Sequence, residues 1–232
     1  NDPSWGDVKN KPADLTDGDD DSLANLNCSK DEIAKWNGNK WTCTQLPQMS
    51  VTFTRWGRKD CPSGTERMYK GYAAGGRYDH SGSGSNTLCL TDNPTHDPDA
   101  SDTNENGNLL YGTEYETSGY GIKGNDYQQV DEYNAPCAVC VVTGATTKRM
   151  LPGSQECPAG WTTKYEGFLM GPHYKNNSQS STVCVDRKPG TLSGGPTGGK
   201  NNIWYPTEAQ CGSLPCGPYR NHREVTCSVC TR

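Results

Sequence analysis

The chain has 232 residues and a net charge of -5, enough length for one or two domains, and that acidic balance repels phosphate backbones, so a nucleic-acid partner is not expected. Only 31% of the residues are hydrophobic, which raises the question of disorder, but 12 Tyr, 6 Trp and 12 Cys argue against it. No apolar run approaches the roughly 18 residues that a membrane-spanning helix needs.

An even cysteine count at recurring spacings reads as a disulfide framework, which persists only in oxidising surroundings. The mature protein is therefore expected to be secreted and extracellular, and a start at Asn1 rather than Met suits a processed chain. Each bridge contributes roughly 2–4 kcal/mol in a chain-entropy picture, so disulfides stand in for missing apolar volume.

In chain order, residues 1–27 form an acidic extended arm. Asp17, Asp19 and Asp21 place alternate carboxylates where they could converge on a hard cation, calcium by charge and ligand type. Their order does not match an EF-hand loop, in which a glycine follows the third ligand; the other reading is a solvated arm that gains order on a partner subunit. Residues 28–50 read as a disulfide-clipped hairpin. Asn37-Gly38 between two short runs signals a type I′ turn, and joining Cys28 to Cys43 would clip its base. A rival signal is the capping box Ser29-x-x-Glu32. A helix from it would meet Gly38 after barely two turns, so the hairpin is preferred, with Trp36 and Trp41 as packing residues.

From Val51 the alternating run to Trp56 predicts a strand, with a counterpart from Thr146 to Leu151. The chain is then written twice. Cys61-Pro-Ser-Gly64 recurs as Cys157-Pro-Ala-Gly160, and the ungapped overlay also matches Tyr69 with Tyr165, Gly71 with Gly167, Gly75 with Gly171 and Tyr78 with Tyr174. With one residue slipped, Cys89 falls opposite Cys184. Tyr111-x-Thr113-Glu114 answers Tyr205-x-Thr207-Glu208, and Cys137-Ala-Val-Cys140 answers Cys227-Ser-Val-Cys230. The period is too long for a solenoid. The polar stretches Thr91 to Asn108 and Thr191 to Lys200 read as surface loops, and no segment has sustained helical periodicity. The expected fold is all-β and disulfide-rich: two tandem pseudo-symmetric half-domains, 51–143 and 144–232, preceded by the arm and the small hairpin.

The two Cys-x-x-Cys elements could suggest zinc, but Cys140 and Cys227 are separated by 86 residues, against the short spacing of zinc ribbons, and no histidine lies at ligand spacing. In a strand, three residues separate the two Cα atoms by about 10 Å, beyond the limit of about 7 Å for a bridge. Cys137 and Cys140 therefore each need a distant partner, with Cys61 and Cys89 as candidates in the first half. Cys157, Cys184, Cys227 and Cys230 repeat the arrangement, and Cys211 and Cys216 could close on themselves. Beyond that, spacing leaves the connectivity open.

Two glycan acceptors occur, Asn27-Cys-Ser and Asn176-Asn-Ser, the second in the more polar loop. His80, His96, His173 and His222 do not align across the repeat, and Gly82-Ser-Gly84 lacks the spacing of a hydrolase elbow. No enzyme activity and no cofactor other than calcium are expected.

A half-repeat of Cys-Pro-x-Gly, an aromatic-Gly step, an isolated Cys, a short Cys loop and a closing Cys-x-Val-Cys resembles the carboxy-terminal non-collagenous domain of type IV collagen. It is more similar still to the spongin-like short-chain collagens of invertebrates. The resemblance covers about residues 51–232; the first half lacks a counterpart of the Cys211/Cys216 loop. It implies β-rich subdomains with Cys61 joined to Cys140, Cys89 to Cys137, Cys157 to Cys230, Cys184 to Cys227 and Cys211 to Cys216, and a domain that trimerises by strand exchange and docks into networks. The leader from Trp5 to Asp21 also resembles segments that precede trimeric modules in fibre proteins. The chain has no Gly-X-Y tract, so it forms no collagen triple helix itself. The function expected is that of an extracellular structural protein that self-assembles as a trimer, network or fibre, possessing itself, glycans or other matrix proteins as partners. The alternative is a secreted carbohydrate-binding module, since Tyr and Trp beside Asp and Asn suit sugar faces.

Overall fold

A computed structural model describes residues 26–82, 84, 86–99, 107–122, 124–196, 198–199 and 201–232. The acidic arm up to residue 25, with Asp17, Asp19 and Asp21, lies outside the described residues. The chain divides into two compact units, Asn1–Gln48 and Met49–Arg232, so the halves expected at 51–143 and 144–232 are parts of one body.

In the first unit β1 (Glu32–Trp36) pairs antiparallel with β2 (Trp41–Gln45). The turn differs from the type I′ expectation. Trp36 pairs with Trp41, leaving residues 37–40 in the loop, and of these only Gly38 has positive φ, at 99°. Asn37 works through its side chain instead: its Oδ1 accepts from the N–H groups of Asn39 (3.0 Å) and Lys40 (2.9 Å). The rival capping signal is used as well. Ser29 N–H donates to Glu32 Oε2 at 2.8 Å, but this bond tightens the turn into β1 and opens no helix. Cys28 is bonded to Cys43, and the Trp36 and Trp41 rings meet edge-on at 5.7 Å.

The second unit contains β3 (Ser50–Trp56), β4 (Glu66–Gly75), β5 (Leu88–Thr91), β6 (Tyr111–Tyr115), β7 (Pro136–Thr143), β8 (Lys148–Pro152), β9 (Thr162–Gly171), β10 (Val183–Asp186), β11 (Asn202–Pro206) and β12 (Thr226–Thr231). One short helix, α1 (Asn125–Gln128), precedes β7; at four residues it is too short to leave a periodic signature in the sequence. The same four pairings occur in each half: β3–β7 and β8–β12, β4–β7 and β9–β12, β4–β5 and β9–β10, β4–β6 and β9–β11. Even the irregularities recur, with Met68 in β4 and Lys164 in β9 left out of register.

The residues matched in the sequence have matched tasks. Tyr69 Oη donates to the Cys89 carbonyl at 3.0 Å, and Tyr165 Oη reaches the Cys184 carbonyl at 3.0 Å. Gly64 and Gly160 have φ of 72° and 81°, a turn conformation that side chains resist. Gly71 and Gly167 are the points in each half where another stretch of backbone comes closest to a glycine. A Cβ on either would collide with the backbone carbonyl of Leu90 or Val185, because the next strand folds back across the glycine.

The halves also interlock. β10 pairs parallel with β3 at Val185 and Trp56, and β11 pairs parallel with β6 from Asn202 to Trp204. Pairing can be followed in a closed circuit, β3-β7-β4-β6-β11-β9-β10 and back to β3. Both apolar clusters draw on both halves. One contains Phe53, Cys140, Tyr165, Cys184 and Cys227, the other Tyr115, Tyr127, Val185 and Trp204. Half-cystines and tyrosines thus occupy space that aliphatic residues fill elsewhere. Tyr115, Tyr127 and Tyr165 donate their hydroxyls to carbonyls of Gly190, Asp186 and Thr54, each in the opposite half. Burial holds all three phenols well above their ordinary pKa.

Replacing Gly167 by Ala, which forces Cβ into the Val185 carbonyl, is expected to lower stability by at least about 3 kcal/mol. Gly112→Ala, where an added Cβ meets nothing within 4 Å, should stay within about 0.5 kcal/mol of the parent. Urea denaturation of the two variants compares them, and equal midpoints would contradict the role given to Gly167.

Candidate assembly interface

All twelve cysteines are paired. In the second unit Cys61 is bonded to Cys140, Cys89 to Cys137, Cys157 to Cys230, Cys184 to Cys227 and Cys211 to Cys216. These are the pairs that the resemblance implies. Cys89–Cys137 and Cys184–Cys227 are the instructive ones. Each joins strands on opposite sides of a third, β5 to β7 across β4 and β10 to β12 across β9. Their Cα atoms approach to 5.8 and 5.7 Å only because the residues between are Gly71 and Gly167.

Folded back in this way, β10 exposes its other edge to β3 of the first half, and that seam is sealed. Val183 and Val185 are 7% and 0% exposed. Arg55 Nε donates to Asp186 Oδ2 at 2.7 Å, both side chains being largely buried, and Arg55 also bonds Asp60. A second sealed seam is β11 on β6, where Trp204, fully buried, meets Trp56 edge-on at 5.8 Å and its carbonyl accepts from Glu116 N–H at 2.9 Å.

Among the described residues the equivalent elements at the other ends of the two halves have no such cover. In register, Leu88 and Leu90 of β5 stand where Val183 and Val185 stand in β10. They are 45% and 38% exposed. The strand equivalent to β3 is β8, which pairs only with β12 among the described residues and exposes Met150 at 40%. The residues equivalent to Asn202-Ile203-Trp204 are Asn108-Leu109-Leu110, outside any strand, with Leu110 exposed. The surface equivalent to their β6 acceptor is Thr207 to Ala209, and it borders an open cavity of about 610 Å³ lined by Tyr120, His173, Tyr174, Tyr205 and Glu208. Burial, with help from Glu116, pushes the Tyr205 hydroxyl up to about 12. Burial, with Asp131 and Glu132 nearby, raises the Glu116 carboxyl.

The remaining expected residues are placed as follows. Asn27 is exposed, whereas the amide nitrogen of Asn176, the atom that a glycan would use, is covered by protein and has no hydrogen-bond partner. His80 faces Tyr111, His173 lies between Tyr174 and Tyr205, His96 is in the exposed loop after β5, and His222 is near Gln210. Among the described residues no group of three or more His, Cys, Asp or Glu is gathered to hold a metal ion, and no helix is long and apolar enough to cross a membrane. Sequence reasoning missed the open edge of β5, since Leu88-Cys-Leu and Val183-Cys-Val read alike. No known family model matches the chain.

Two outcomes follow for stability. Replacing both Cys157 and Cys230, 73 residues apart, should cost about 4 kcal/mol, against about 2 kcal/mol for Cys211 and Cys216, separated by 5; denaturation of the two variants measures the difference. Asp186→Ala leaves Arg55 buried beside a lost partner and should cost about 3 kcal/mol. A loss below 1 kcal/mol, on the order of an exposed pair, would show that Asp60 alone satisfies Arg55.

Proposed function

We propose that this chain is an extracellular structural protein that associates with copies of itself head to tail. The observation that carries the reading is the unequal burial of equivalent strands: β10 and β3 seal one seam inside the chain, while β5 and β8 leave the equivalent seam open with Leu88, Leu90 and Met150 exposed. A neighbour offering β8 to β5 would repeat between chains the contact already made within one. Such an interface joins two different surfaces, so it closes into a ring if the rotation per copy permits and runs on as a fibre if it does not. Added strands of this kind gain main-chain hydrogen bonds together with side-chain pockets.

The resemblance to the non-collagenous domain of type IV collagen and to spongin-like collagens supports the same reading and favours a trimer. Six bridges suit an oxidising extracellular setting. With no Gly-X-Y tract, the chain contributes the assembling body and no triple helix.

A second reading, a carbohydrate-binding module, draws on Tyr174, 83% exposed at the rim of the Tyr120–Tyr205 cavity, a ring face on which a sugar could stack.

Sedimentation velocity over a wide concentration range tests the first reading. The parent should associate, and Leu88→Asp with Leu90→Asp should weaken association at least about tenfold, as buried charge at an interface centre does, without moving the monomer's melting temperature. A parent that stays monomeric throughout would sink it; glycan-array hits that survive in the double variant would favour the second.

A further inference from the structure

The cleft beside β4 and the cleft beside β9 are one feature present twice. Lys59, Tyr72, Asp92 and Asn134 line the first; Gln155, Phe168, Arg187 and Glu224 hold the same places in the second. The backbone confirms the equivalence. Asp92 N–H donates to Lys70 O at 3.0 Å and Arg187 N–H to Glu166 O at 2.9 Å, while Asn134 bridges Glu114 as Glu224 bridges Glu208.

The two clefts differ in filling and in charge. Leu192 and Ser193, from the loop after β10, occupy the first, with Leu192 N–H donating to Asn134 O at 3.0 Å, and about 260 Å³ remains. Among the described residues no loop occupies the second, which opens to about 640 Å³. The ion pair on the wall is inverted, Lys70 with Asp92 at 3.5 Å in one and Glu166 with Arg187 at 2.7 Å in the other. Around the second cleft Arg220, His222 and Arg223 replace Val130, Glu132 and Tyr133. Here too the frame is shared: Tyr133 N–H donates to Val130 O at 3.0 Å and Arg223 N–H to Arg220 O at 3.2 Å, and Glu132 and His222 share a left-handed φ of 62° and 60°. Arg187 Nη2 is buried there without a hydrogen-bond partner. Glu166 is taken by Arg187 and Glu208 lies 4.0 Å from His222 Nδ1, which leaves Arg220 and Arg223 against Glu224 on the lining. The balance is cationic.

The repeat also says what would fill it. Pro189 in the loop after β10 corresponds to Pro94 in the loop after β5, so Leu192-Ser193 corresponds to Asp97-Pro98. That loop is exposed from Asp92 to Asp99, and Asp99 N–H donates to Asp97 Oδ1 at 2.9 Å, a local turn in which both aspartates are exposed. The loop is acidic where its twin is neutral, and the vacant cleft is basic where its twin is not. We propose that the loop His96 to Asp99 of one copy docks into the Arg187, Arg220 and Arg223 cleft of the next, as the polar counterpart of the β5–β8 seam. It rests on the head-to-tail reading above and adds the contact that selects the neighbour.

Charge reversal and its recovery test it by sedimentation velocity on the full chain, with intact mass confirming six bridges in every variant. Asp97→Arg with Asp99→Arg, and separately Arg220→Asp with Arg223→Asp, should each weaken association at least about tenfold, and all four together should return it to within about threefold of the parent. A monomeric parent overturns the head-to-tail reading and this contact with it. An associating parent that either pair leaves unchanged, or that the fourfold variant fails to match, overturns only the loop-in-cleft contact. So does a cleft variant that still associates but loses retention on immobilised heparin, which would assign the cleft to an anionic glycan.

Discussion

A disulfide that passes over a glycine is the constraint on which the rest of the body depends. Without a side chain at Gly71 or Gly167, a strand can fold back so closely that its cysteine reaches the strand beyond, and the bridge then keeps it there. The consequence is directional. A strand pinned in this way has one edge used and the other offered outward. In the second half β3 accepts the offered edge. In the first half the same geometry offers β5 to no second strand of its own unit among the described residues, so the open seam follows from the fold and is no accident of one exposed patch.

The low aliphatic content has a structural answer as well. Twelve tyrosines against two phenylalanines look extravagant for a core, but between the halves the polar tip is needed. Loops and short strands bring carbonyls into the interior that no neighbouring strand satisfies, and Tyr115, Tyr127 and Tyr165 each carry a hydroxyl across to one of them. Phenylalanine would fill the same volume and leave the carbonyl bare.

What was legible in the sequence was the part written in residues without substitutes. Cysteine, and glycine at a positive φ or a close approach, do backbone tasks that no other residue does, so Cys61/Cys157, Gly64/Gly160 and Gly71/Gly167 disclosed the repeat and with it an all-β, disulfide-rich body. Pairing of the cysteines came from a resemblance, because spacing alone leaves it open. Hidden were the features that depend on what arrives from far along the chain. Leu88 and Val183 are interchangeable by type, and only the presence of a facing strand separates exposed from buried. Arg220 and Arg223 were hidden for another reason: they follow the Cys211–Cys216 loop, where the halves differ in length, and the match returns only on counting back from Cys137 and Cys227. The hairpin turn was expected for the backbone of Asn37 and is made by its side chain.

The interlock also bears on how the chain is made. Trp204 closes the face formed by Trp56 and Tyr115, yet it is translated long after both. A nascent chain emerging amino end first must carry that bare aromatic face, and Cys61 must wait for Cys140, before either half can be completed. Vectorial synthesis therefore runs against the grain of this topology: the amino-terminal half stays incomplete until the carboxy-terminal half has been made.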